Sequence, residues 1–167
     1  MTPQLLLEIA DEARKFIGSK RSLELATVTQ NGQPLASYAP FYRSNPGIFY
    51  IFVSTLAAHT SNLDNANFDN SIASILIIED EKNTPQIYAR ARLSFQCITD
   101  EVPPGVSEFD EALGKLKEIH GAVITTLSSL ADFKLFKLTP QSGRYIKGFG
   151  QAYEIDSRLT QAKPVAR

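Results

Sequence analysis

Residues 22–41 read SLELATVTQNGQPLASYAPF, and this stretch decides the fold class. From Ser22 to Thr29 the pattern has period two, with Leu23, Leu25 and Thr27 on one side. That is the signature of a strand with one buried face. Asn31-Gly32 follows as the strongest hairpin signal in the chain, because both central positions of a type I′ turn require positive φ. The return strand runs through Leu35, Ser37, Ala39 and Phe41.

Downstream, Ser44-Asn45-Pro46-Gly47 is the next turn, and Ile48 to Val53 reads as a strand buried on both faces. Ser54-Thr55 can cap a short helix holding Leu56, His59, Thr60 and Leu63, which the Asn and Asp residues between 62 and 70 close. The apolar strand 72–78 comes next, then a polar turn from Asp80 to Pro85. A long alternating strand is expected over 87–97, with Leu93, Phe95 and Cys97 on one face and Tyr88, Arg90, Arg92, Ser94 and Gln96 on the other. Pro103-Pro104-Gly105 breaks the chain, and Ser107 with Asp110 resembles a capping box ahead of Phe109, Leu113, Leu116 and Ile119 at helical spacing. A second helix is expected over Ala122–Leu130, then strands 132–139 and 144–155 joined by a Pro140-Gln141-Ser142-Gly143 turn. Gly148-Phe149-Gly150 marks a bulge or a close approach of backbone or ligand.

Upstream, Thr2-Pro3 is an N-cap followed by proline at N1. Leu5, Ile9, Ala13, Phe16 and Ile17 then make an amphipathic helix that Gly18 ends. Hairpins without regular β-α-β alternation favour an antiparallel barrel of about seven strands with peripheral helices, a mainly β (α+β) fold. The expected division is a helix over 1–19, a barrel domain over 20–155 and a loose, polar tail over 156–167.

Composition narrows the functions. The 167 residues make one domain with a substantial core. Seventeen Lys+Arg against 18 Asp+Glu, a net charge of −1, argue against a protein that grips nucleic-acid backbones. The longest apolar run, Ile72 to Ile78, is far short of the ~20 residues of a membrane span. No leader sequence is expected, so the simplest placement is cytoplasmic. Cys97 is the single cysteine, which excludes an internal disulfide and zinc sites built on Cys pairs. There is no G-x-G-x-x-G and no phosphate-binding loop of the Walker type.

Few side chains suggest chemistry. His59 can offer an imidazole nitrogen to a metal or move a proton, although a lone histidine is more often an ordinary partly exposed residue. Arg90 and Arg92, two apart, can clamp carboxylates or a phosphate, against the commoner reading of a solvent-facing sheet. Thr60, Ser61 and Asn62 add phosphate donors of a kind common at helix ends. Asp132 can orient a histidine, or is a turn acid at a strand entrance. Lys147 is ambiguous, His120 reads as structural, and no hydrolytic triad stands out.

The segment Arg144-Tyr145-Ile146-Lys147-Gly148-Phe149-Gly150-Gln151-Ala152-Tyr153 resembles the ending of the HugZ/HutZ haem-utilisation family, among the pyridoxamine-phosphate-oxidase-like, FMN-binding split barrels. Leu25-Ala26-Thr27-Val28 and Ser37-Tyr38-Ala39-Pro40-Phe41 are similar to its first hairpin. His59-Thr60-Ser61-Asn62-Leu63 is similar to its His-x-x-Asn-Leu helix, Ala89-Arg90-Ala91-Arg92-Leu93 to its arginine strand, and Leu130-Ala131-Asp132-Phe133 to the segment before the last turn. The resemblance implies a homodimer of split β-barrels with haem near the interface. It implies His59 on the haem iron, Asp132 of the other subunit hydrogen-bonding that histidine, and Arg92, with Arg90, on the propionates. It further implies opening of haem to a biliverdin-type product with O2 and an external electron donor. Some family members carry another histidine in a C-terminal extension, whereas residues 156–167 contain none. A haem carrier without turnover is therefore a second reading. An FMN-dependent oxidoreductase, its phosphate held by Thr60, Ser61 and Arg90, is the third.

Overall fold

The computed structural model describes residues 2–64 and 72–166; the Asn/Asp run 65–70, read as closing the short helix, lies outside them. The chain opens with α1 (Pro3–Gly18), capped by Thr2, whose Oγ1 accepts from the Leu5 N–H at 3.4 Å. Ile9, Ala10, Ala13 and Ile17 form its buried face, while Leu5 stays partly exposed.

The strands are β1 (Ser22–Val28), β2 (Pro34–Pro40), β3 (Tyr42–Arg43), β4 (Phe49–Ser54), β5 (Ile72–Ile78), β6 (Arg92–Val102), β7 (Phe133–Gly148), β8 (Gln151–Ile155) and β9 (Ala162–Pro164). All pairings are antiparallel, in the order β2-β1-β5-β6-β7-β4-β3, with β8 on β7 and β9 on β8. The sheet is not closed by hydrogen bonds. It curls so that Phe41, just past β2, meets Phe49 of β4 with ring centroids 5.4 Å apart. This is the split-barrel architecture expected from the sequence.

β7 organises it. One edge pairs with β6 along almost its whole length; the other carries β4 on residues 133–138 and β8 on 143–148. Inside the curl, Leu25, Ile51, Ile75, Leu93, Phe95 and Phe136 form the core, and α1 covers it. β4 is buried on both faces, as expected: Tyr50 and Phe52 pack outward against Leu116 and Ile124 of α3 (Ser107–His120) and α4 (Val123–Ser128).

Several local expectations need correction. The first hairpin turns through residues 30–32: the Thr29 N–H donates to the Gln33 carbonyl and the Gly32 N–H to the Thr29 carbonyl. Only Gly32 has positive φ (75°), so the loop is a three-residue turn with glycine in the left-handed position rather than type I′. Residues 87–89 form a 3-10 turn, and the strand begins at Arg92, because β5 ends opposite it at Ile78 and supplies no earlier ladder partner. Pro140–Gly143 is no turn. It continues β7, with Pro140 opposite Cys97 and Ser142 opposite Gln96, so that Gln141 is the extra residue of a bulge in β7 next to the proline, which has no N–H to give the ladder. The turn lies at Gly148–Gly150, with a register shift between Ile146 and Gly148. Ser107 forms no capping hydrogen bond, because the cap position falls on Val106.

The segment expected to be a loose tail is held in place. β9 extends the sheet, Leu159 is fully buried in the core, and the Asp156 carboxylate accepts from the backbone N–H groups of Arg158, Thr160 and Gln161. Among the described residues, no helix is long and apolar enough to cross a membrane.

Candidate functional site

His59 lies on the short helix α2 (Ala58–Leu63), which three residues separate from the end of β4. Its residue-type neighbours are spent on holding that turn. Thr60 Oγ1 donates to the Ser54 carbonyl at 2.5 Å, Ser61 Oγ to the Ala58 carbonyl at 2.9 Å, and Asn62 Nδ2 to Thr27 Oγ1 at 2.9 Å. Thr60 and Ser61 have thus given their hydroxyl protons to backbone carbonyls and have none to offer a phosphate.

His59 differs from them. Its Nε2 is buried and makes no hydrogen bond. Burial also holds the imidazole below its ordinary pKa, favouring the neutral form that can donate a lone pair to a metal. A buried nitrogen without a partner is costly, so this ring suits a group that supplies the missing contact.

Asp132 is brought to the same end of the barrel. Its carbonyl accepts from the Thr55 N–H at 2.7 Å, and its Oδ2 accepts from Ser54 Oγ at 2.6 Å. Ser54 Oγ in turn accepts from the Leu56 N–H at 3.1 Å. Sequence reasoning treated Ser54 only as a helix cap and missed its grip on the carboxylate; neither residue type signals that pairing across 78 positions. No hydrogen bond joins His59 to Asp132 within the chain. Leu56, two residues before α2, is 90% exposed, a large apolar side chain standing in water.

A further ion cluster was also unforeseen: Lys134 Nζ lies 2.8 Å from Glu101 and 3.2 Å from Asp64. It ties the region after α2 to β6 and β7 at this end of the sheet.

The structure separates the other candidates from His59. Arg90 is not on β6: its Nε donates to the Glu79 carbonyl at 2.5 Å and its Nη1 to Glu81 at 3.2 Å, closing the β5–β6 connection. Arg92 opens β6, with Nη1 donating to the Arg90 carbonyl at 2.8 Å. Lys147 pairs with Glu12 of α1 at 2.6 Å. Among the described residues no hydrogen bond or ion pair links Arg92 to α2, whose Asn62 reaches Thr27 of β1. His120 is structural, as expected; its Nε2–H donates to the Phe41 carbonyl at 3.0 Å. Burial pushes the Cys97 thiol up to about 12, so it stays protonated and unreactive. No group of three or more His, Cys, Asp or Glu suited to a metal ion occurs among the described residues.

The comparisons agree with this architecture. The family model described as pyridoxamine 5'-phosphate oxidase matches residues 9–147. A Vibrio cholerae protein named haem oxygenase HutZ is 38% identical over 144 residues, covering 86% of this chain and 79% of that one. A crystal structure of V. cholerae HutZ, described there as a haem storage protein, superposes with a TM-score of 0.72 at 34% identity, over 78% of this chain and 89% of that one. Campylobacter jejuni ChuZ superposes with a TM-score of 0.82 at 31% identity over 95% of this chain, which spans 63% of the ChuZ chain.

Proposed function

Because the chain belongs to the pyridoxamine 5'-phosphate oxidase family of split barrels, and within it to the HugZ/HutZ haem-utilisation branch, we propose that it binds haem and opens the ring to a biliverdin-type product with O2 and an external electron donor. The observation that carries the reading is the 38% identity to a protein named as a haem oxygenase, extending over most of the chain. The buried, unpartnered Nε2 of the half-buried His59 supports it from this chain's own residues.

Haem brings the redox-active iron and is itself the molecule consumed. The protein's residues bind and orient it. His59 offers a neutral nitrogen to the iron. Asp132, fixed by Ser54, accepts a hydrogen bond from the imidazole of a second copy and strengthens it as a donor. Leu56 supplies apolar surface to the porphyrin face. Arg92, with Arg90 next to it, meets the propionates. The working unit is thus a homodimer. The FMN reading is weaker because Thr60 and Ser61 already give their hydroxyl protons to backbone carbonyls and Arg90 is held by Glu79 and Glu81.

The test is titration of the purified protein with haemin and, separately, with FMN, followed by visible absorption. A sharp Soret band saturating at one haem per subunit, lost in His59→Ala, is the expected result. Haem uptake that is nonspecific beside tight FMN binding would overturn the reading. A Soret band unchanged in His59→Ala would overturn the ligand assignment. Ascorbate added under air then separates turnover, with loss of the Soret band, from a carrier whose spectrum persists.

A further inference from the structure

A second cleft, of about 600 Å³, opens where α1, the β3–β4 turn and the C-terminal arm meet. It lies at the far end of β4 from His59, five residues of extended chain or about 17 Å away. Arg14, Arg43 and Arg158 line it with Ser44, Asn45 and Thr160, and no carboxylate does. We propose that this cleft binds the phosphate group of a small molecule, a multiply charged phosphate monoester or diphosphate, with the three guanidinium groups as its ligands.

The three arginines surround one short piece of backbone. Arg43 Nη2 donates to the Ser157 carbonyl at 2.9 Å, and Arg14 Nη2 donates to the Leu159 carbonyl at 2.7 Å. Arg158 stands between those two residues, its side chain making no hydrogen bond among the described residues. The loop is built to hold this arrangement. Leu159 keeps a φ of 59°, unusual for a branched residue, because its side chain is locked in the core. Gly47, at φ 123°, lets the loop approach, since a Cβ there would run into the Ser157 carbonyl and lie 2.9 Å from Arg43 Nη2.

Charge compensation is only partial. Asp156 is nearby, yet both its oxygens are occupied by the loop's own N–H and hydroxyl donors. Asp11 reaches Arg14 but is shared with Lys15. The Nε–H of Arg43 is buried without an acceptor. Burial first and the Arg14 charge second press the Arg43 guanidinium below its ordinary value, with Asp156 opposing. Three guanidinium groups that share two backbone carbonyls and part of one carboxylate keep N–H groups free for a polyanion, and guanidinium forks match phosphate oxygens in pairs. A purely structural clamp would use Arg14 and Arg43 but has no need of Arg158.

The inference is independent of the haem reading, and its test contains no haem. Calorimetric titration of the whole chain with inorganic pyrophosphate, against potassium chloride at matched ionic strength, should give saturable binding of one anion per chain. Arg158→Ala should weaken that binding about tenfold while leaving the thermal unfolding midpoint unchanged, and Arg43→Lys should weaken it too by removing the fork. Absence of saturable binding up to about 10 mM, far weaker than charge-assisted forks provide, would overturn the proposal. So would an affinity unchanged in Arg158→Ala.

Discussion

At the scale of single residues, His59 shows what a sequence can and cannot announce. The residue type and its place after a buried strand are legible, because the run 48–53 is apolar on both faces and the chain must turn after it. That Nε2 ends up buried without a partner depends on packing from elsewhere in the fold. A pH dependence follows. The unfolded imidazole titrates near 6.5, and burial lowers the folded value. The neutral ring's contribution is therefore complete above pH 6.5 and is lost as pH falls through the folded value, where the unfolded chain holds the proton more readily. Urea midpoints measured from pH 7.5 down to 5.5 should fall more steeply in the wild type than in His59→Gln. Arg90 makes the opposite point. Alternation placed it beside Arg92 on one strand face, yet it closes a loop, because a strand exists only where its neighbour offers a ladder.

Among the elements, β7 is the one the sequence disguises. Pro-Gln-Ser-Gly has the composition of a turn, and nothing local distinguishes it from one. The partner decides: β6 pairs with both sides of the segment, Cys97 with Pro140 and Gln96 with Ser142, while β7 itself bulges at Gln141, and the Phe95 ring lies over Gly143. A Cβ on Gly143 would stand 2.6 Å from Phe95 Cδ1 and 2.9 Å from Ile155 Cγ2. Its glycine therefore serves close packing and not a positive φ. Gly143→Ala should cost about 2 kcal/mol by overpacking, read from denaturant unfolding. Ser142→Ala, on the exposed side, should stay within about 0.5 kcal/mol. By contrast β1, β2, β4, β5 and α1 were readable almost to their ends, because each shows its burial period within its own residues.

For the whole molecule, one face of the sheet is left uncovered. Ile72 and Ile98 stand opposite each other across β5 and β6, 60% and 45% exposed, with Val28 and Tyr38 on the same outer side of β1 and β2. A second copy covering this face would hide that apolar surface and give the proposed haem site its two halves. Ile98→Arg should convert a dimer in sedimentation equilibrium to a monomer and weaken haem uptake in parallel. A wild-type chain that sediments as a monomer at micromolar concentration would contradict the composite site. The same core also joins segments far apart in sequence: Ile9, Ala13 and Ile17 of α1 rest in it with Leu159 and Ala162. On the ribosome that helix emerges well before Leu159 and Ala162, so part of its apolar stripe waits for its cover while the intervening strands are made, and the nascent chain, more than the folded protein, is open to capture by chaperones.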